Sequence, residues 1–170
     1  VIGTTKQEMG GSQYFLAKGK KGGIVPRVDA KKSLKIMNKL TSLIRKGLVI
    51  SAHDLSEGGL AVALAEMLFA GGFGSTVSLK NVPREKGLTR DDILLFSESN
   101  SRFIVEVPSA KKKAFEDSAK SIPIGLLGEV SKTRKLVVKG LKHNVVVSSG
   151  IATLKKAWQR PFKRIMHEKS

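Results

Sequence analysis

The sequence predicts a layered domain of mixed helices and strands, of α/β or α+β class. Three observations carry this. The chain has 170 residues, of which 41% are apolar and 26% charged, so it is long enough and apolar enough for one packed core. Between Lys31 and Arg45, Leu34, Met37, Leu40, Leu43 and Ile44 recur at three- and four-residue spacing, which marks an amphipathic helix. The short apolar runs Leu48–Ala52 and Phe103–Val107 have the length and residue types of strands, with helical patterns between them.

In chain order, Val1–Thr5 is β-prone and leads to the glycine turn Met9-Gly10-Gly11-Ser12 and then Gln13–Leu16. Lys18–Gly23 holds three Lys and three Gly and reads as a solvated loop, and Pro26 opens an extended stretch. Gly47 sits where the helix 31–45 would end. After the strand at 48–52, a helix is expected over 56–69, with Leu60, Leu64, Met67 and Leu68 on one face and Gly71-Gly72 beyond it. Ser75–Leu79 alternates as a strand. Thr89-Arg90-Asp91-Asp92 reads as a cap with acid in the first turn of a short helix over 93–96. Pro108 closes the strand at 103–107, and Ser109 is expected to cap a helix to about Ser121. Strands follow at 124–130, 135–138 and 144–147, and a last helix at 151–158. There is no internal repeat. The whole chain reads as a single domain, with residues 159–170 a frayed basic tail.

Composition excludes several classes. With no Cys there is no disulfide framework, thiolate metal site or Cys nucleophile. No apolar run reaches the ~18 residues of a membrane span, and Val1-Ile2-Gly3-Thr4-Thr5 lacks the basic and apolar regions of a signal peptide. The expected location is therefore the cytoplasm. The chain opens on Val1 rather than Met, which fits either processing or a part of a longer protein. Lys and Arg total 31 against 14 Asp and Glu, a net charge of +17. That excess opens the alternative of a basic nucleic-acid-binding domain. Against it, the chain has one Trp, one Tyr and seven Phe, few platforms for base stacking. Its basic clusters Lys18-Gly19-Lys20-Lys21, Lys111–Lys113 and Lys155-Lys156 fall on different elements, so nucleic acid is not the expected partner.

Two segments carry candidate chemistry. In Ser51-Ala52-His53-Asp54-Leu55-Ser56-Glu57-Gly58-Gly59-Leu60, a strand passes through polar residues to two glycines that open a helix. Free N–H groups at such a start attract anions, and glycine lets a phosphate approach. The competing reading is structural: Gly58 and Gly59 permit close helix–sheet packing while Asp54 or Ser56 caps the helix. No Lys-Ser/Thr follows, so this is not a P-loop, and it does not match the dinucleotide fingerprint. His53, Asp54 and Ser56 are too close along one strand and turn to converge as a triad. In Leu95-Phe96-Ser97-Glu98-Ser99-Asn100-Ser101-Arg102-Phe103, hydroxyls, a carboxylate and a guanidinium cluster in one loop. This loop either holds a phosphate or polar substrate through Arg102, or is a turn in which Glu98 pairs with Arg102. Gly10-Gly11-Ser12 is a third, weaker candidate for an anion nest.

The strings GGSQY (10–14), LVISAHDLSEGGLAVALAEM (48–67), LLFSESNSRFIVEV (94–107) and IGLLGEV (124–130) together resemble the C-terminal region of the phosphoribosylformylglycinamidine synthases. These belong to the aminoimidazole ribonucleotide synthetase-like superfamily of ATP-dependent enzymes. The resemblance runs from about Thr4 to Trp158. It implies an α+β fold, a three-layer α/β/α sandwich with a mixed sheet like the C-terminal domain of aminoimidazole ribonucleotide synthetase. It also implies a ligase that makes formylglycinamidine ribonucleotide from formylglycinamide ribonucleotide, ATP and glutamine-derived ammonia, in purine biosynthesis. ATP and Mg would serve the whole enzyme, with none bound tightly by this chain alone. The implied partners are the barrel-forming N-terminal domains of the same enzyme, with glutaminase and small accessory subunits.

The wording matches the second of the family's two halves. The family's nucleotide-binding acids and catalytic His lie in the barrel domains, so this chain is expected to carry no catalytic or metal-binding residue and to be inactive alone. His53 is not that catalytic His. By resemblance, the substrate- or nucleotide-binding candidates are Asp54, Ser56, Gly58, Gly59, Glu98, Ser99, Asn100 and Arg102. Asn100 stands where the family commonly has Gln, which puts its role in doubt.

Overall fold

The structure is a computed structural model that describes residues 1–167, with side chains to residue 161. Helix α1 (Gln13–Ala17) is a single short turn. It is followed by α2 (Ala30–Arg45), β1 (Ser51–Asp54), α3 (Gly59–Gly71), β2 (Gly74–Ser78), α4 (Asp91–Phe96) and β3 (Phe103–Glu106). The chain closes with α5 (Lys112–Ala119), β4 (Gly128–Ser131), β5 (Lys135–Lys139), β6 (Val145–Gly150) and α6 (Ile151–His167).

The strands form two sheets. β1 and β3 pair antiparallel, from Ser51 opposite Glu106 to Asp54 opposite Phe103. Ile2, fully buried, bridges both Phe103 and Ile124 and so fixes the N-terminal segment beside this ladder. The other sheet has the order β4-β2-β5-β6 and is mixed: β2 runs parallel to β5, while β2–β4 and β5–β6 are antiparallel. The expected mixed α+β architecture is therefore present.

Two apolar clusters hold the elements together. One joins α3 and α4 to the larger sheet through Leu60, Leu64, Leu94, Val77, Leu136 and Val138. The other joins α2 to α5 through Ile36, Leu40, Leu43 and Phe115, with Ile2 between them. Burying side chains of this size stabilises by roughly 1.5–3 kcal/mol each, which is the main force fixing both layers.

The element boundaries differ from the sequence pattern for local reasons. The first strand lies at 51–54 rather than 48–52, and Ile50 is 63% exposed. Ile50 lies on the same face of the ladder as exposed Ala52 and Asp54. Helix α3 begins at Gly59, three residues later than expected, with Gly58 as its N-cap in the left-handed region (φ 76°) and no side-chain cap. Neither Asp54 nor Ser56 is the cap. Arg90, not Thr89, is the N-cap of α4. Ser109 does not cap α5: it starts a 3-10 turn, Ser109–Lys111, ahead of the α-helix. Of 124–130 only the end pairs in β4. Gly125 and Gly128 approach the carbonyls of Asn81 and Thr76 so closely that a Cβ would overlap them.

Helix α2 is capped by Asp29, whose carboxylate accepts the Lys32 N–H at 3.1 Å. It buries Ser33, Ile36, Leu40 and Leu43. Of the five apolar residues in the expected pattern, Leu34, Met37 and Ile44 lie outside this face and are exposed. At the other end, α6 passes Trp158 and continues through Pro161 to His167. Proline leaves the carbonyl four residues back without its helical donor. That carbonyl belongs to exposed Ala157, where water can serve. Of the expected 159–170 tail, residues 168–170 lie outside the described residues.

Candidate functional site

The loop 97–102, between α4 and β3, meets three segments far from it in sequence. Gly59 takes φ 60°, and a Cβ there would lie 2.5 Å from the Ser97 carbonyl oxygen. Glycine is what lets the start of α3 sit against this loop. Glu98 then supplies the missing cap. Its Oε1 accepts the Gly58 N–H at 2.9 Å and the Gln13 N–H at 3.0 Å. One carboxylate thus serves the starts of both α3 and α1, where unpaired N–H groups favour negative charge. Ser12 completes the start of α1, its Oγ accepting the Phe15 N–H at 3.3 Å and donating to the Met9 carbonyl at 2.8 Å.

The serines bind the loop to the N-terminal segment. Ser97 Oγ donates to the Lys6 carbonyl at 2.8 Å, and Ser99 Oγ accepts the Lys6 N–H at 3.0 Å. The two hydroxyls are 2.9 Å apart, and both residues are fully buried. Ser101 turns the chain with φ 61°, an uncommon conformation for a residue with a side chain.

Arg102 is 1% exposed. Its Nη1 donates to the Ser97 carbonyl at 2.9 Å, while Nε and Nη2 have no hydrogen-bond partner among the described residues. Burial lowers its pKa to about 10, and the charge of buried Glu8 opposes that shift. Glu8 accepts the Arg27 N–H at 3.1 Å and lies 3.5 Å from the Lys6 ammonium. Glu98 does not pair with Arg102, because its carboxylate is spent on two helix starts. The Arg102 guanidinium is buried within the domain rather than at its surface.

The eight candidates therefore divide. Gly58, Gly59, Ser99 and Arg102 are buried where the 97–102 loop meets the start of α3, and Glu98 is half-buried beside them. Asp54, Ser56 and Asn100 are exposed. Asp54 ends β1, where its backbone carbonyl lies 2.6 Å from His53 Nδ1. His53 Nε2 faces Glu66 of α3 at 3.2 Å, and Glu66 also accepts the Trp158 indole N–H at 2.7 Å, linking α6 to α3. The residues present do not fit a nucleotide by themselves. The N–H group at Gly58 that would meet a phosphate already meets the Glu98 carboxylate, and the arginine that would neutralise it is sealed. Among the described residues no group of three or more His, Asp or Glu could hold a metal ion.

Sequence reasoning did not pick out Lys6, Glu8 and Gln13, which complete these contacts. One signal was available: Glu8 is the only acid before Asp29 in an otherwise basic stretch. No described helix is long and apolar enough to cross a membrane.

Comparison with known proteins locates this arrangement. Residues 1–140 match the family described as AIR synthase related protein, C-terminal domain. Over 159 residues the chain is 40% identical to the phosphoribosylformylglycinamidine synthase subunit PurL of Deinococcus radiodurans, covering 93% of this chain and 21% of that protein. The chain thus spans about a fifth of the length of that relative. Among solved structures, Thermotoga maritima PurL complexed with FGAR superimposes with a TM-score of 0.80 at 22% identity, covering 90% of this chain and 26% of the other. A HypE–HypF complex matches with a TM-score of 0.62 at 14% identity, over 86% of this chain and 50% of the other. Both structural matches speak for the fold. The matched proteins lend no support to the nucleic-acid alternative.

Proposed function

The chain belongs to the family of AIR synthase related proteins, C-terminal domain, and from that premise we propose that it is the second-half C-terminal domain of a phosphoribosylformylglycinamidine synthase. The whole enzyme would convert formylglycinamide ribonucleotide, ATP and glutamine-derived ammonia to formylglycinamidine ribonucleotide in cytoplasmic purine biosynthesis. The single observation that carries this reading is the 40% identity to the Deinococcus synthase subunit across 93% of the chain.

The geometry supports a supporting rather than a catalytic role. Glu98, Ser99 and Arg102 make their contacts inside the domain. ATP and Mg²⁺ would be held by the barrel-forming domains, where the metal would offset phosphate charge. The exposed residues Asp54, Ser56 and Asn100 are those that can meet a ligand presented from outside the domain. Glutaminase and small accessory subunits would complete the assembly.

The test is a domain exchange. The Deinococcus subunit with its matching segment replaced by this chain should form product from formylglycinamide ribonucleotide, ATP and ammonia, while the 170-residue chain alone should not. Turnover by the isolated chain, or a folded but inactive exchange protein, would sink the reading.

A further inference from the structure

Helix α2 has an apolar arc about twice as wide as the one it buries. Ser33, Ile36, Leu40 and Leu43 face the domain. One position further round, Leu34, Met37 and Ile44 remain 61%, 47% and 46% exposed. With Thr41 between them they form a line at helical spacing along the outer side. A shallow depression lined by Asn38, Thr41, Ser42, Arg45 and Lys46 runs beside it. The helix carries five cations and no acid, and its capping Asp29 is already paired with Lys32 at 3.3 Å. Positive charge continues past the helix end, where Lys111 donates to the Gly47 carbonyl at 2.8 Å.

We propose that this outer face of α2 docks an acidic amphipathic helix of a partner protein. Its apolar side would lie on Leu34, Met37 and Ile44, and its carboxylates would meet Arg45 and Lys31, the cations nearest that line around the helix. Charge complementarity selects this occupant. A second copy of the chain would bring one acid-free cationic helix against another, in a molecule of net charge +17. A lipid surface fits less well. The line is short and aliphatic, holds no Trp or Tyr to anchor at an interface, and has Thr41 at its centre. A helix of 16 residues is about 24 Å long, enough to receive a partner helix reading i, i+3 and i+7 anchors.

The test uses the 170-residue chain and a synthetic 18-residue helix with Leu on one face and Glu on the other. Fluorescence anisotropy should show saturable binding that weakens at least tenfold in Met37→Asp and in Arg45→Glu, with backbone NMR shifts confined to α2. Both residues are exposed, and circular dichroism confirms that the variants fold. Equal affinity for an 18-residue poly-Glu peptide, unaffected by Met37→Asp, would reduce the face to unspecific charge and overturn the proposal. Failure to bind the amphipathic helix would do the same, as would Met37-dependent binding to phosphatidylglycerol vesicles in its place.

Discussion

The Glu98 carboxylate accepts the backbone N–H of Gly58, 40 residues before it, at 2.9 Å and so caps a helix that has no capping side chain of its own. The same oxygen accepts the Gln13 N–H. Glu98→Ala should leave two helix-start donors without their partner and lower stability by about 1–3 kcal/mol. Glu98→Gln, which keeps an acceptor oxygen, should lose less. Asp54→Ala should change stability by under ~0.5 kcal/mol, since Asp54 is exposed and caps nothing. Urea denaturation of the three variants checks this order. A larger loss in Asp54→Ala than in Glu98→Ala would reverse it.

Gly59 and Gly72 both take positive φ, at 60° and 73°, in different surroundings. At Gly59 an added Cβ meets the Ser97 and Leu95 carbonyl oxygens at 2.5 and 2.9 Å, and at Gly72 it meets nothing within 4 Å. Gly72→Ala should therefore cost only the backbone term, about 1–2 kcal/mol. Gly59→Ala should cost clearly more, because α3 and the 97–102 loop must separate. Thermal unfolding of the pair measures the difference, and equal melting temperatures would show that the close approach is not needed.

Arg102 and Glu8 are both buried and both contact Ser97, and the Glu8 charge favours the Arg102 cation although no hydrogen bond joins the two side chains. Ser97 Oγ reaches the Glu8 carbonyl at 3.3 Å, and its own carbonyl accepts from Arg102. Removing Glu8 leaves the Arg102 guanidinium buried without that charge, whereas removing Arg102 leaves Glu8 with the Lys6 ammonium at 3.5 Å. Arg102→Met and Glu8→Gln should each lose on the order of 1–3 kcal/mol, by leaving buried polar groups without their partner. The double variant should lose markedly less than the sum, because neither charge is then left alone. Strict additivity in a double-mutant cycle would show that the two side chains do not interact.

The fold class was legible because each signal it used is local. The spacing in 31–45, the apolar run at 103–107 and the glycine pairs each act within a few residues. Burial was less legible. The line Leu34, Met37, Ile44 and the line Ile36, Leu40, Leu43 are equally apolar and adjacent on α2. Only the position of α5 decides which is covered. The candidate loop was found by its residue types, but not its wiring. Pairing Glu98 with Arg102 was reasonable from a spacing of four. Glu98's actual partners, Gly58 and Gln13, lie 40 and 85 residues away, beyond any periodicity, while Arg102 donates to the Ser97 carbonyl.

The last prediction concerns pH. Val1 is 8% exposed, its amino group donates to the Gly125 carbonyl at 2.8 Å, and the Gly125 N–H returns a bond to the Val1 carbonyl. Burial, and then the nearby charge of Arg102, lower the pKa of this amine from 8.0 to about 5. Between those values the unfolded chain binds a proton that the folded chain does not. Stability of the chain starting at Val1 should therefore rise as pH increases from about 5 to 8, and level off above. The interval sets a ceiling of about 4 kcal/mol, at about 1.4 kcal/mol per pKa unit. Nα-acetylation keeps the N–H donor but removes the titration, so the acetylated chain should lose this rise. Acetylation alters this one group only, so the difference between the two curves isolates Val1. Parallel curves from chemical denaturation across pH 5 to 8 would show that the buried amine carries no such linkage.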